Sequence, residues 1–235
     1  MNKQSNTYTI IYIVILAAVV GAALAFTSLS LRDKQQANAD MDKMRQILAS
    51  ARIVPASGEI VSDFEKYIVG KTVVNTAGEA VDGDAFSVDV AAQSKLKASE
   101  RKLPVFECRL DDGSLKYILP VYGAGLWGPI WGYVAVDADG STIYGAYFAH
   151  QGETPGLGAE IEKPAFSDQF EGKHLVKGGE FIPVTVVKAG QKPEDASADY
   201  VDGVSGGTIT SKGVGSMLDN CLSPYRAFLV NLSNK

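Results

Sequence analysis

The chain has 235 residues, 46% of them hydrophobic, which is enough apolar material for one sizeable core beside a membrane segment. Its 22 Lys and Arg face 27 Asp and Glu, so the net charge of −5 argues against nucleic acid as a partner. Cys108 and Cys221 lack the spacing of a zinc or iron–sulfur site. A disulfide between them stays open, although their apolar surroundings favour two buried thiols.

An apolar run opens the chain, from Tyr8 to Leu29, between the charged residues Lys3 and Arg32. As a helix it would be roughly 33 Å long, which is enough to cross a bilayer core. A cleaved signal peptide is the alternative, because Ala23-Leu24-Ala25 has the small-x-small form of a cleavage site. The apolar run continues past that site, which favours a retained anchor over residues 1–35.

Two amphipathic segments follow the anchor. Apolar residues recur at helical spacing from Asp40 to Ile53 and again from Gly58 to Ile68. The pattern therefore predicts two helices within a linker region over residues 36–70, ahead of a globular domain over residues 71–235.

The domain begins with short runs of β-branched and aromatic residues, which predict strands. These runs are Thr72–Val74, Ala85–Val90, Val105–Leu110, Leu115–Tyr122, Ile130–Asp137, Thr142–Ala149 and Glu180–Val187. Asp-Gly pairs at 112–113 and 139–140 predict hairpin turns. After Ser211, a candidate N-cap, apolar residues predict a last helix kinked at Pro224. The expected fold class is α/β of the α+β type: one N-terminal transmembrane helix, then a mostly antiparallel sheet domain with flanking helices.

The segment Gly123-Ala124-Gly125-Leu126-Trp127-Gly128 matches the GxGxxG pattern of dinucleotide sites. Such a site needs a helix directly after the glycines and an acidic residue about twenty positions later. Pro129 to Tyr133 instead predicts a further strand, so we interpret the segment as a loop between two strands. His150 and His174 are too isolated for a metal triad or a Ser/His/Asp site, and we expect them to be structural or exposed.

A second glycine-rich segment runs from Gly152 to Ile161. Gly156 and Gly158 would let the backbone approach a flat ligand, with the hydroxyl of Thr154 and the apolar side chain of Leu157 beside it. By itself the pattern favours an ordinary turn over a ligand-contacting loop.

A loop of small residues, Asp202 to Ser211, leads into the last predicted helix. Its hydroxyls and bare amides can surround a phosphate, and a helix N-terminus favours the negative charge. The Gly-Lys-Ser/Thr ending of a P-loop is missing, so nucleotide hydrolysis is not indicated, although Lys212 could supply a positive charge. An ordinary capped helix start fits the same residues.

The spacing Asp202-x-x-Ser205-Gly206-x-Thr208 resembles the flavinylation motif Asp-x-x-Ser/Thr-Gly-Ala-Thr. Nearly the whole chain resembles the C subunit of the Na+-translocating NADH:quinone reductases. That family has, in the same order, an N-terminal span, a Gly-Leu-Trp loop as at 125–127 and a Glu-Thr-Pro-Gly-Leu-Gly segment as at 153–158. Gly207 stands where the motif usually has alanine. We expect flavinylation to survive, since only a methyl group is lost.

The resemblance implies that FMN is attached to Thr208 through a phosphoester bond and that residues 71–235 form a covalent FMN-binding domain. The implied cofactor-binding residues are Asp202, Ser205, Gly206 and Gly207 in the recognition motif, with Thr154 and Leu157 beside the isoalloxazine ring. We add Lys212 as a residue near the phosphate. No catalytic residue or metal ligand is expected. Because the motif holds no base to activate a threonine, an external flavin transferase that uses FAD and Mg2+ is implied.

The implied function is that of an FMN-carrying electron-transfer subunit, which passes electrons from NADH oxidation towards quinone in a complex with subunits A, B, D, E and F and is coupled to Na+ export. The implied location is the inner membrane, with the domain on the periplasmic side. The excess of Arg32 and Lys34 over Lys3 points instead to the cytoplasm. Two alternatives are the G subunit of the Rnf ferredoxin:NAD complex and a single-pass receptor or scaffold domain without redox activity.

Overall fold

The computed structural model describes residues 6–56 and 58–234. Lys3, one of the charges that flank the expected anchor, lies outside these residues. The chain divides into two compact units, Met1–Lys43 and Met44–Lys235. The domain bounds expected from the sequence, 1–35, 36–70 and 71–235, remain predictions.

The first helix, α1, runs from Asn6 to Ser50. Its apolar part is long enough, by length and composition, to cross a membrane. Residues 40–50 are helical as predicted, but they continue α1 and do not form a separate helix, because no glycine or proline interrupts residues 32–48. It ends at Ser50, just before Arg52 takes a left-handed φ of 61°.

A six-stranded sheet forms the centre of the second unit. Its strands are β1 Ile68–Val74, β2 Ala80–Val81, β3 Leu103–Arg109, β4 Leu115–Ala124, β5 Pro129–Asp137 and β6 Ile143–His150. The order is β2-β1-β3-β4-β5-β6, and every neighbouring pair is antiparallel. The expected α+β class is confirmed. The two predicted hairpin turns form at Gly113 and Gly140, with φ of 83° and 66°.

Shorter elements complete the fold. The remaining helices are α2 Ile60–Tyr67, α3 Val90–Gln93, α4 Pro164–Ser167, α5 Thr208–Leu222 and α6 Arg226–Ser233. The remaining strands are β7 Val176–Lys177, β8 Glu180–Phe181, β9 Thr185–Val187 and β10 Tyr200–Asp202. β7 pairs antiparallel with β8, and β9 pairs parallel with β10. Short 3-10 turns form at Ala98–Glu100, Gly158–Glu162, Asp168–Phe170 and Ser223–Tyr225.

Two predicted strands were wrong. The segment Ala85–Val90 forms turns and the start of α3, because the carboxylates of Asp84 and Asp89 accept hydrogen bonds from nearby backbone amides. The segment Glu180–Val187 divides into β8 and β9 around Pro183, which has no amide hydrogen for a strand ladder.

The last helix begins earlier than predicted. It starts at Thr208 with Gly207 as its N-cap, so the expectation that Ser211 caps it was wrong. The hydroxyl of Ser211 instead accepts the N–H of Val204 at 2.9 Å, because Ser211 lies one turn inside the helix against the preceding loop. The predicted break at Pro224 is confirmed: a 3-10 turn separates α5 from α6 there.

Each face of the sheet carries its own core, because successive side chains of a strand point to opposite faces. On one face α5 and α6 pack against residues such as Leu119 and Val134. On the other face the end of α1 and helix α2 cover Ile118 and Ala135. The two cysteines are free thiols and form no disulfide with each other. Cys221 is buried in the core beneath α5 and α6, and Cys108 is buried in the core on the opposite face of the sheet. Burial raises the pKa of both thiols, that of Cys108 to about 11.

Candidate functional site

The loop from β10 to α5 holds the motif residues. Its backbone turns at Gly206, whose φ of 75° is a left-handed conformation that favours glycine. The N–H of Gly207 donates to the carbonyl of Val204 at 3.0 Å, and the N–H of Ser211 donates to the carbonyl of Gly207 at 2.9 Å. Because Gly207 is the N-cap, it offers no side chain to the amides of the first helical turn. Those amides are therefore suited to an anionic ligand.

Three hydroxyl groups lie in the first turn of α5, and their surroundings differ. Thr210 is only 1% exposed and donates its hydroxyl to Glu153 Oε2 at 2.5 Å. Ser211 is also buried and is hydrogen-bonded to the N–H of Val204. Thr208 is exposed. Of these three side chains, Thr208 alone presents its hydroxyl to an external reagent.

The turn that carries Leu157 lies against the motif loop. An added Cβ at Gly206 would stand 2.5 Å from Leu157 Cδ2, and one at Gly207 would stand 3.2 Å from the Leu157 carbonyl carbon. Both Leu157 and Thr154 are exposed on this turn, and the N–H of Leu157 donates to the carbonyl of Thr154 at 3.1 Å. The structure thus brings Leu157 to the motif and places Thr154 on the same exposed turn.

A cavity of about 650 Å³ opens beside Thr208. Thr208, Ser205 and Gly206 line one side together with Lys212, which follows Thr208 by one helical turn and shares its face. Most of residues 185–195 line the cavity as well, among them Lys188 and Lys192 and the acidic Glu194 and Asp195. A lysine side chain near a helix N-terminus, here Lys212, suits a phosphate.

Asp202 has a structural position at the end of β10. Its carboxylate accepts the N–H of Gly190 at 3.2 Å, and its backbone N–H and carbonyl both bond to the side-chain amide of Gln169. It is exposed and fixes the direction in which the chain enters the motif loop.

The loop at Gly123–Gly128 connects β4 to β5, as the sequence predicted, and a strand follows its last glycine. The N–H of Gly125 donates to the carbonyl of Gly128 at 2.8 Å, which closes the turn. Leu126 and Trp127 form its tip, where Trp127 is 68% exposed.

Glu153 joins this tip to the motif helix, a role that sequence reasoning missed. Its side chain is 4% exposed, Oε1 accepts the N–H of Trp127 at 2.8 Å, and Oε2 accepts the hydroxyl of Thr210. The N–H of Glu153 donates to His150 Nδ1 at 3.1 Å, which gives that histidine a structural role. Local sequence carries no signal for this burial, because a glutamate between a glycine and a threonine is typical of an exposed turn.

An apolar platform forms around the motif from three separate segments. We define it as Leu126, Trp127, Leu157 and Ile209, all of them exposed. Ile209 follows Thr208 in the chain, Leu157 contacts the motif loop, and Trp127 is tied to α5 through Glu153. Exposed apolar side chains beside a polar anchor are typical of a site for a flat aromatic ligand.

The chain is similar to known proteins both in sequence and in fold. The family model of the FMN-binding domain matches residues 125–223, which include the tip, the Leu157 turn and the motif. The C subunit of the Na(+)-translocating NADH-quinone reductase from Vibrio anguillarum is 36% identical and is matched over 93% of this chain and 91% of its own length. The crystal structure of the C subunit from Parabacteroides distasonis is 53% identical, with a TM-score of 0.79 over 85% of this chain and 96% of that one. Shewanella oneidensis NqrC is 29% identical, with a TM-score of 0.67 over 84% of this chain and all of that one.

Proposed function

The chain belongs to the family of C subunits of the Na+-translocating NADH-quinone reductases, and from this membership we propose that it is an electron-transfer subunit with FMN bound covalently to Thr208. The observation that carries the proposal is the contrast among the three hydroxyls in the first turn of α5: Thr208 is exposed at the first helical position, whereas Thr210 and Ser211 are buried and hydrogen-bonded.

The residues around Thr208 fit an FMN group at both of its ends. The uncapped amides of α5 and the ammonium of Lys212 suit the phosphate, and the apolar platform suits the isoalloxazine ring. Gly206 lets the loop turn sharply before the acceptor, and Leu157 covers that turn. Asp202, Ser205, Gly206 and Gly207 form the segment that a transferase would read, and Thr154 lies on the same exposed turn as Leu157.

Attachment of the cofactor requires a partner enzyme. In the transfer of FMN from FAD, Thr208 Oγ1 attacks the phosphorus of the FMN half. A P–Oγ1 bond forms while the P–O bond of the pyrophosphate breaks, and AMP is the leaving group. The hydroxyl proton must go to a base, and the exposed hydroxyl of Thr208 has no hydrogen bond to one in the described part of the chain. We therefore assign the base and the Mg2+ to an external flavin transferase.

Once bound, FMN supplies reversible acceptance and donation of electrons, which protein side chains do not provide. The chain itself performs the positioning. Thr208 tethers the phosphate end, Lys212 and the helix amides balance its charge, and Leu157 and Trp127 shield the ring from water. A covalent tether also prevents loss of the cofactor.

Membership of the family supports a proposal for the place of this chain in the complex. We propose that electrons from NADH, oxidised elsewhere in the complex, reach this FMN and continue to the B subunit and then to quinone, in an assembly with subunits A, B, D, E and F that exports Na+. We place α1 in the inner membrane. The resemblance to the family, which we weigh above the one or two flanking charges, supports a periplasmic position for the FMN domain. The relatives carry the quinone reductase name, which favours this assignment over the Rnf G subunit.

Denaturing gel electrophoresis tests the attachment. We expect the full chain, co-expressed with a flavin transferase, to give a fluorescent band that Thr208→Val abolishes. Ser216→Ala, which removes an exposed hydroxyl further along α5, is the matched control and should keep the full band, while Thr210→Val should still give a fluorescent band because the Thr210 hydroxyl is buried. A dark wild-type band would overturn the proposal. A band that survives Thr208→Val but disappears in Thr210→Val would move the attachment to Thr210.

A further inference from the structure

Glu153 lies where three segments of the proposed site meet. Its carboxylate is buried, although a buried carboxylate is costly unless its oxygens are hydrogen-bonded. Each oxygen has a different partner: Oε1 holds the backbone of the Leu126–Trp127 tip, and Oε2 holds the side chain of Thr210 on α5. Glu153 itself begins the turn that carries Leu157. One side chain therefore joins all three segments that supply the apolar platform.

Two glycines make room for this carboxylate. An added Cβ at Gly125 would overlap Glu153 Oε1, and one at Gly158 would overlap Glu153 Oε2 and stand 2.5 Å from Thr210 Oγ1. Neither glycine has a positive φ, so the backbone conformation at these positions does not demand glycine. Space for Glu153 is what requires them.

The carboxylate approaches α5 from the side away from the acceptor. Two residues along an α-helix correspond to a rotation of about 200°, so the side chains of Thr208 and Thr210 point in nearly opposite directions. Glu153 can therefore hold the start of α5 through Thr210 while the hydroxyl of Thr208 stays accessible.

We propose that Glu153 is a positioning residue that sets the separation between the Leu126–Trp127 tip, the Leu157 turn and the start of α5, and so determines the width of the ring site. The inference rests on the proposed function, since the platform is where we place the isoalloxazine ring. The length of the Glu153 side chain, and not its charge, is the property that holds the three segments in position. The side chain must span from its own turn to two partners that lie 26 and 57 residues away in sequence.

Three substitutions separate reach from charge. Glu153→Gln keeps the length of the side chain: its carbonyl can accept from Trp127, and its amide can donate to Thr210. Glu153→Asp keeps the charge but is shorter by one carbon–carbon bond, about 1.5 Å. Glu153→Ala removes both. Glu162→Ala is the matched control, since Glu162 accepts the N–H of the neighbouring His150 at 3.2 Å but has no bond to the tip or to α5.

The first measurement is amide hydrogen exchange on the full chain in detergent, in a Thr208→Val background that carries no flavin. We expect Glu153→Ala and Glu153→Asp to lose protection in peptides over residues 124–130 and 205–212, while Glu153→Gln and Glu162→Ala keep it. Unchanged protection at 131–136, within β5, shows that the sheet remains folded.

The second measurement uses the flavinylated chain in its native state. The anisotropy of the flavin fluorescence should fall in the Ala and Asp variants, because the tethered ring loses its fixed walls, and should stay at the wild-type value in the Gln variant. A loss of stability alone would not free the ring in protein that remains folded.

The outcomes are distinct. Unchanged exchange in folded Glu153→Ala protein overturns the inference, and so does a pattern in which Asp behaves as wild type and Gln behaves as Ala. If Glu153→Ala does not fold, the comparison of Gln with Asp decides alone. A dark wild-type band together with the expected exchange pattern overturns the flavin attachment but not the role of Glu153 in the fold. A fluorescent wild-type band together with unchanged exchange in the Glu153 variants supports the flavin attachment and overturns the role of Glu153.

Discussion

The two glycine-rich loops, Gly123–Gly128 and Asp202–Gly207, look alike in composition but lead into different elements. The first loop leads into β5, and the hydrogen bond from Gly125 to Gly128 closes it as a turn between strands. The second loop leads into α5, whose first amides have no carbonyl partner within the helix. Glycine content therefore says little about an anion site, and the element after the glycines decides it.

The loops also differ in their support. The first loop is held by the buried carboxylate of Glu153, and close packing against this carboxylate leaves no room for a side chain at Gly125. In the second loop Gly206 has a left-handed backbone conformation, and an added Cβ there would also overlap the flexible end of the Leu157 side chain. The loop follows β10, and Asp199, directly before β10, forms an ion pair with Lys177. Substitutions at paired glycines should therefore separate packing alone from packing combined with backbone strain.

The largest expected effect lies in the first loop. Gly125→Ala should lower the free energy of unfolding by about 3 kcal/mol, because its Cβ would overlap Glu153 and stand 3.0 Å from Ile130 Cγ2. Gly128→Ala should change it by less than about 0.5 kcal/mol, since its nearest neighbour is at 3.6 Å. Urea unfolding of the detergent-solubilised chain, followed by tryptophan fluorescence, measures both. Equal effects of the two substitutions would contradict the packing difference.

In the second loop the paired glycines are Gly206 and Gly207. Gly206→Ala should lower the free energy of unfolding by about 2 kcal/mol, because a residue with a Cβ resists the left-handed conformation and this Cβ would also overlap Leu157 Cδ2, and it should weaken the fluorescent flavin band. Gly207→Ala should lower the free energy of unfolding by about 1 kcal/mol and keep a full band, since its φ of −101° suits alanine but its Cβ would stand 3.2 Å from the Leu157 backbone. Urea unfolding and band intensity together test this. If Gly207→Ala loses more stability or more band intensity than Gly206→Ala, this chain requires glycine at position 207, although the motif usually has alanine there.

A smaller effect is expected at Asp199, directly before β10. Burial acts to raise the pKa of this carboxyl, but hydrogen bonds from the His174 N–H at 2.7 Å and from Lys177 Nζ at 3.0 Å outweigh it and hold the pKa below its usual value. A carboxyl with a lowered folded-state pKa stabilises the fold above the unfolded pKa, and this contribution is lost as the pH falls through the folded one. Asp199→Asn should therefore cost about 1 kcal/mol at neutral pH and progressively less below about pH 4.

Unfolding curves from pH 7 to pH 3 would measure this difference. A gap between wild type and Asp199→Asn that stays constant with pH would show that the interaction does not depend on the charge of the carboxylate.

The smallest effect is expected at Lys212. Lys212 is one exposed charge near the proposed phosphate. Lys212→Gln should therefore weaken the interaction of the chain with the flavin phosphate by about 0.5 kcal/mol and slow flavinylation by a few-fold at low salt. The difference should vanish at high salt because exposed charges are screened. Lys71→Gln, on β1, is the charge-matched control. A rate loss that persists at high salt would mean that Lys212 acts by another route.

Some features could be predicted from local sequence patterns alone. The apolar length of α1, the runs of β-branched and aromatic residues in β3 to β6 and the two Asp-Gly turns are all properties of neighbouring residues, and each element appeared where the pattern indicated. The segment Ala85–Val90 shows the limit of such patterns. Its β-branched and aromatic residues suit a strand, but hydrogen bonds from flanking aspartates and the lack of a partner strand in the described sheet turned it into a loop.

The amino-acid sequence by itself determined the membrane-length apolar run, the antiparallel sheet and the spacing of Asp202, Ser205, Gly206 and Thr208, because each depends on order along the chain. Only the tertiary structure decided that Thr208 is exposed while Thr210 is buried, that Leu157 covers Gly206, and that Glu153 holds the site together. The physical reason is that burial of a side chain depends on residues distant in sequence, here 57 positions apart for Glu153 and Thr210.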